Sequence, residues 1–274
     1  MKTSPNLPLF LMLAWAFAFF TPLTASSAPG GESSKPTTTA TESTSAEPYN
    51  PEMQPTPKSG PIQPIEKGTK LADVQADMNA KLAGVTTFQA DVQMLKKRDK
   101  KSPGGAIWRI WEGPLALTRN VGGHVTLTRK GETEEYTANR QVIWSYDAPH
   151  KEARFIPTST PVIGTFVEEA MRLNVFFSAD PETIKLRASQ ETEGEDCWVL
   201  EGKSPARLKM VGVPENRIRV WVAKRDGLPR KIQLPDNDNF TIIMRNIRVN
   251  ENIPASRYQF TPPEGVKTKN IFGL

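Results

Sequence analysis

The chain has one cysteine, two histidines and four tyrosines in 274 residues, and it has no uninterrupted apolar run of the ~20 residues that a membrane-spanning helix needs. Each shortage excludes something. A single thiol rules out an intramolecular disulfide, so the folded part must stand on its core alone. That thiol, Cys197, sits in the apolar stretch Cys197-Trp198-Val199-Leu200 and reads as buried and structural rather than reactive. The two histidines, His124 and His150, both lie beside turns with no Ser or Cys nucleophile motif nearby, and both read as surface residues. No HExxH, CxxC or phosphate loop occurs. Asp236-Asn237-Asp238-Asn239 opens like a calcium loop but lacks the Gly and Glu that complete one, so it reads as a turn. The sequence therefore gives no catalytic site, no metal site and no cofactor, and does not read as an enzyme. Internal repeats are absent as well.

What is present falls into three segments. Met1 to Ala28 has the form of a cleaved secretory signal: Lys2 at the start, an apolar run from Leu7 to Phe20, and the small residues Thr24 to Ala28. The competing reading is a membrane anchor, for which the run is short. No Cys lies near the cleavage region, so the usual acceptor for a lipid-modified amino terminus is missing. An exported, soluble mature protein is expected. Residues 29–66 are rich in Pro, Thr, Ser and Glu and read as a disordered linker, because so little apolar surface cannot offset ordering entropy. Residues 67–274 are then one folded domain by size. The whole chain carries +5; Lys2 accounts for +1 and residues 29–66 for −3, which leaves +7 on the domain. Such a balance suits anionic surfaces, lipid headgroups or cell-wall polymers before nucleic acid in an exported protein. The basic run Leu95 to Lys101 faces either an anionic lipid, an acidic partner or solvent.

Periodicity sets the fold class. Leu71, Val74, Met78 and Leu82 are spaced for a helix that Gly84 stops. Phe88, Ala90, Val92 and Met94 then alternate as on a strand. Short strands follow at 106–111, 115–121, 125–129, 134–138, 142–146 and 153–156, split by turns such as Gly113-Pro114 and Gly122-Gly123. Thr160 and Pro161 open a second helix whose stripe runs from Val162 to Leu173 and closes on Phe176 and Phe177. Further strands lie at 184–188 and 197–203. Arg217 to Val249 then forms a meander, with a hairpin turn at Asp226-Gly227. Two helices and about ten short strands give an α+β fold, an antiparallel sheet with helices on one face.

Two stretches carry a family likeness. Residues 139–157, NRQVIWSYDAPHKEARFIP, and the closing VAKRDGLPRKIQLPDNDNFTIIMRNIRVNENIPASRYQFTPPEGV resemble the corresponding motifs of the LolA-type periplasmic lipoprotein carriers, down to the terminal Phe260-Thr261-Pro262-Pro263-Glu264-Gly265-Val266. The resemblance implies a curved, incomplete antiparallel barrel of about ten to eleven strands, a half-barrel with helices as a lid over its concave face. It also implies an apolar cavity that shields acyl chains, no enzymatic activity and no cofactor. The chain departs from the family pattern in three places. Arg140-Gln141 replaces a turn glycine, Gly113-Pro114-Leu115-Ala116-Leu117 only loosely echoes an early proline-aromatic segment, and the linker is long. Some carriers keep a functional arginine near that early segment, and Arg119 lies close to it.

On this reading Trp108, Trp144, Phe155, Trp198, Trp221, Ile242 and Met244 supply the acyl-chain lining from strands, and Phe166, Met171 and Phe176 supply it from the lid. The plainer alternative is an ordinary core between sheet and helices. Trp221 shares its strand face with Arg219, so it is either covered from the other side or exposed on a basic surface. The expected partners are acylated lipoproteins or lipids, with an inner-membrane releasing complex and an outer-membrane acceptor; nucleic acid is not expected, and the protein reads as a monomer. A lipid-sensing regulator of the RseB type is the second function open to this fold, although such proteins carry a further domain for which 67–274 leaves no room. An enzyme on cell-wall or lipid substrates would need a polar constellation that the sequence does not offer.

Overall fold

The computed structural model describes residues 58–97, 108–159, 179–204, 217–236 and 240–271. Their framework is a single large sheet of thirteen strands, open and curved, with one α-helix. The strands are β1 (Ser59–Gln63), β2 (Thr87–Lys97), β3 (Trp108–Thr118), β4 (Gly122–Arg129), β5 (Glu132–Asn139), β6 (Val142–Asp147), β7 (Glu152–Pro157), β8 (Lys185–Thr192), β9 (Glu195–Lys203), β10 (Arg217–Ala223), β11 (Pro229–Leu234), β12 (Phe240–Val249) and β13 (Lys267–Asn270). The helix, α1, spans Leu71–Leu82. The order across the sheet is β1-β8-β9-β10-β11-β12-β2-β3-β4-β5-β6-β7-β13, so the first and the last of the described strands supply the two edges.

Tight turns explain why neighbours in sequence are neighbours in the sheet. Lys130-Gly131 and Glu193-Gly194 both have two positive φ angles, the geometry that a two-residue hairpin loop matches to strand twist. At Asp226-Gly227 the glycine takes φ +72 and the Asp226 carboxylate accepts from the Leu228 amide at 3.0 Å, which makes the expected β10–β11 turn.

Strand alternation sorts the side chains onto two faces. On β2, Phe88, Ala90, Val92 and Met94 are buried on the face that α1 covers with Val74, Met78 and Leu82. Register carries that face across the sheet: Met94 stands opposite Trp111 on β3 and Ile242 on β12, and Val125 on β4 opposite Tyr136 on β5. One continuous apolar cluster therefore runs from β4–β7 on one wing to β9–β11 on the other, with α1 in contact. We call this the helix face and its reverse the far face.

The β8–β12 wing is strongly curled. Arg245 on β12 meets Glu193, in the β8–β9 turn, at 2.7 Å from Nε to Oε2. Three to four strand positions separate them, ~14–19 Å in a flat sheet, more than the two side chains span. Across the β4–β7 wing the far face is covered by the chain's end. After β12 the chain makes a 3-10 turn, Ala255–Tyr258, and lays Tyr258 onto Gly122. A Cβ at Gly122 would come within 2.7 Å of the Tyr258 side chain, so only glycine admits this contact. The chain then adds β13 to β7.

Four sequence expectations change here. β13 pairs with β7 in parallel, the one parallel pairing among antiparallel ones. Gly113-Pro114 does not split β3, which runs through it beside β4. The backbone of β4 lies so close that a Cβ on Gly113 would sit 1.9 Å from the Thr126 carbonyl oxygen. Third, order begins earlier than residue 67, since Ser59–Gln63, within the expected linker, pairs with β8. Fourth, the described strands number thirteen rather than about ten. The expected second helix, Thr160 to Phe177, lies outside the described residues.

Candidate ligand-binding face

The helix face holds the larger of the two buried apolar clusters among the described residues. Ile242 and Met244 lie within it, 5% and 1% exposed. Trp198, half-buried, packs against the same cluster, with the Lys224 ammonium 4.0 Å from its ring centroid. Trp111 belongs to it too, and the sequence reading missed it. The signal available was the β2–β3 register, which sets Trp111 opposite Met94, and register is not legible before strands are paired.

Three expected lining residues face the other way. Trp144 and Phe155 stand opposite each other on β6 and β7, one residue out of step with Ile143 and Ile156 of the helix face. Their rings, 5.0 Å apart, pack with Phe260 of the chain's terminal arm, which lies 5.3 Å from Trp144. Trp221 belongs to a separate small cluster with Ala188, Cys197, Val199 and Ala223. Its indole donates to the Gln190 side chain at 2.6 Å, and Lys231 sits 4.2 Å above its ring. The physical reason is alternation: Trp221 lies between Val220 and Val222, both on the helix face. It is not exposed on a basic surface either, being 3% exposed. Phe166, Met171 and Phe176 lie outside the described residues, as does the side chain of Trp108.

α1 is held at one end. Arg119, just after β3, donates from Nη2 to the Leu82 carbonyl at 2.7 Å and from Nη1 to the Ala83 carbonyl at 3.2 Å. The Asn250 side-chain amide donates to the Gly84 carbonyl at 3.1 Å. Helix C-terminal carbonyls have no partners within the helix, so these bonds anchor its last turn. At the other end Lys70 gives no side-chain cap. Burial pushes the Arg119 guanidinium down from its ordinary pKa, and its Nε has no partner among the described residues.

The apolar face ends in a polar rim on β5–β7. Tyr136 donates its hydroxyl to Glu134. Burial raises both groups, and the hydrogen bond from Tyr136 partly offsets the rise at Glu134. Arg154 donates to Glu152 at 2.9 Å and, with Lys269, holds that carboxyl below the usual range. Ser145 stands between Tyr136 and Arg154 in the register, and no group of three or more potential metal ligands occurs among the described residues.

Cys197 is fully buried, and burial pushes its thiol up to about 12. His150 is exposed, as expected, and its hydrogen bond to Asp147 raises it. His124 corrects the surface reading: it is 5% exposed on the far face, bonded to Thr137 and Thr126 at 3.1 Å each. Burial, helped by the nearby Arg257, lowers it to about 4.

No family model matches the chain. Among curated proteins, an uncharacterized protein of Methanocaldococcus jannaschii is 33% identical over 75 residues, 27% of this chain and 20% of that one, so the match spans about a fifth of that relative. Among solved structures the chain is similar to an uncharacterized conserved protein from Thermus thermophilus (TM-score 0.46, 12% identity, 73% of this chain and 98% of that one). It is also similar to a putative outer membrane lipoprotein-sorting protein domain from Vibrio parahaemolyticus (TM-score 0.37, 13% identity, 68% and 94%). A LolA superfamily protein from Nitrosomonas europaea is similar at TM-score 0.37 and 11% identity, over 70% and 99% of the two chains.

Proposed function

We propose that this protein is an exported carrier that shields the acyl chains of lipoproteins or lipids on its helix face and delivers them across the periplasm. The observation that carries this reading is the one continuous apolar cluster spread across both wings of an open sheet, met by a twelve-residue helix whose last turn is hydrogen-bonded to Arg119 while its first turn has no side-chain cap. A cluster of that breadth, opened by movement of the helix, gives an alkyl chain a place out of water, worth ~0.8 kcal/mol per CH₂. Displacement of that helix gives it a way in. The lining in this account is Trp111, Trp198, Ile242 and Met244, with Phe166, Met171 and Phe176 of the 160–177 stretch completing the half-barrel's lid. Arg119 is the latch: it holds the C-terminal turn of α1 to β3 and sets how readily the helix swings. A releasing complex at the inner membrane and an acceptor at the outer membrane are the partners such a carrier needs.

The reading is supported by the motif likeness at 139–157 and 222–266 and by the described face. It is tested by isolating the protein from the periplasm and identifying bound material by mass spectrometry. Acyl-bearing material in near-stoichiometric amount is the expected result. An empty protein that also fails to bind hydrophobic probes overturns it. Depletion then separates a carrier, whose loss misplaces lipoproteins, from a lipid-sensing regulator, whose loss leaves them in place.

A further inference from the structure

The far face carries a second feature, at the end of β8, β9 and β10 remote from the Glu193 turn. Register gathers five cations there. Lys185 stands opposite Glu201, Glu201 opposite Arg219, and Lys203 opposite Arg217, while Arg187 reaches the same face at a bulge in β8. Neighbouring strands are ~4.8 Å apart, so the five share a grid three strands wide.

Glu201 organises the middle of it. Its side chain is only 9% exposed and accepts from Arg187 at 3.1 and 2.6 Å and from Arg219 at 3.1 and 2.7 Å. Burial alone would raise this carboxyl, but the bonds from Arg219 and Arg187 outweigh it and hold the group below its usual range. Both guanidiniums are thereby fixed in place while half of Arg187 remains exposed. At the border Arg217 pairs with Asp236 at 2.7 Å. Lys185 and Lys203 are exposed and form no ion pair among the described residues. Five cations against Glu201 and Asp236 leave the patch at +3.

We propose that this patch docks the protein on an anionic membrane, with acidic phospholipid headgroups as its partner. Lysines and arginines packed within one Debye length, ~8–10 Å, act together on a charged surface. A shaped protein partner fits the patch less well. Protein interfaces are depleted of lysine at their centre and enriched in aromatic anchors, and none of the residues forming this patch is aromatic or apolar. The patch lies on the face opposite Ile242 and Met244, so docking turns the apolar face away from the bilayer. Membrane binding and acyl shielding are then separate events, and each is measured without the other.

The test is co-sedimentation of the natively processed protein with phosphatidylcholine vesicles, with and without phosphatidylglycerol. Binding only to the phosphatidylglycerol vesicles, falling as salt rises, is the expected result. The double variant Lys185→Gln/Lys203→Gln, which touches no ion pair, should weaken it by about 5- to 30-fold. The control Lys151→Gln/Lys267→Gln, which likewise touches no ion pair among the described residues, removes the same charge from the β7–β13 edge and should leave binding unchanged, with thermal melts confirming that both variants fold. Equal binding to both kinds of vesicle, equal loss in both double variants, or retention by an acidic protein matrix without vesicle binding overturns the proposal. Because the vesicles are empty and no cargo is added, these outcomes do not depend on whether the helix face binds acyl chains.

Discussion

At the residue scale the informative side chains are those whose surroundings differ from what their neighbours in sequence suggest. His124 sits next to Gly122-Gly123, a pair that reads as a turn, yet that pair lies inside β4 and the imidazole is buried under the chain's terminal arm, facing Glu135 on one side and Arg257 on the other. With its pKa lowered to about 4, the unfolded chain takes up this proton first as pH falls. His124 therefore adds stability that is complete above its unfolded value near 6.5 and is lost as pH drops toward about 4. Denaturant unfolding at a series of pH values should show this slope, and His124→Gln should flatten it between those limits. Arg119 is the second case. Its removal takes a donor from each of the Leu82 and Ala83 carbonyls, the former keeping the Val85 amide at 3.1 Å, a loss of about 1–3 kcal/mol. Arg119→Leu should lower the denaturant midpoint by a matching amount and raise the on-rate of a fluorescent fatty acid. An unchanged on-rate would show that this residue anchors the helix without gating it.

At the scale of single elements the difference between the ends of α1 is decisive. Its core contact rests on Val74, Met78 and Leu82, its last turn is bonded to Arg119 and Asn250, and its first turn has no side-chain cap. Amide exchange should therefore be faster in Leu71–Val74 than in Met78–Leu82. Met78→Ala should cost about 2–5 kcal/mol and speed exchange along the whole helix. Most of this was legible in sequence. The spacing of Leu71, Val74, Met78 and Leu82 and the stop at Gly84 mark the helix, and the alternation of β2 and the Asp226-Gly227 turn mark the strands. Pairing register was not legible. It decides that Met94 faces Trp111 and that Trp144 and Phe155 belong to the far face. A strand's pattern separates its two faces without saying which one meets the helix, and when both faces carry aromatics hydrophobicity cannot choose. The strand at Ser59–Gln63 was hidden for another reason: a proline-rich segment joins the sheet only because β8 offers it an edge.

At the scale of the whole molecule the sheet has two used faces. The helix face holds the continuous apolar cluster. The far face is closed on one wing by the arm carrying Tyr258 and Phe260 and drawn in on the other by the Arg245–Glu193 ion pair. The motif likeness pointed to an acyl-binding half-barrel, and the residues expected to line it fall on both faces of the sheet; the proposed lining takes those of the helix face. The measurement that tests this most directly is photo-crosslinking with an acyl chain carrying a diazirine near its methyl end, followed by peptide mapping. Labelling of β9, β12 and α1 at Trp198, Ile242, Met244 and Met78, weakened in Met244→Asp and preserved in Trp221→Phe, is the result predicted. Labelling concentrated around Trp144, Phe155 and Trp221, or no saturable labelling, would contradict it.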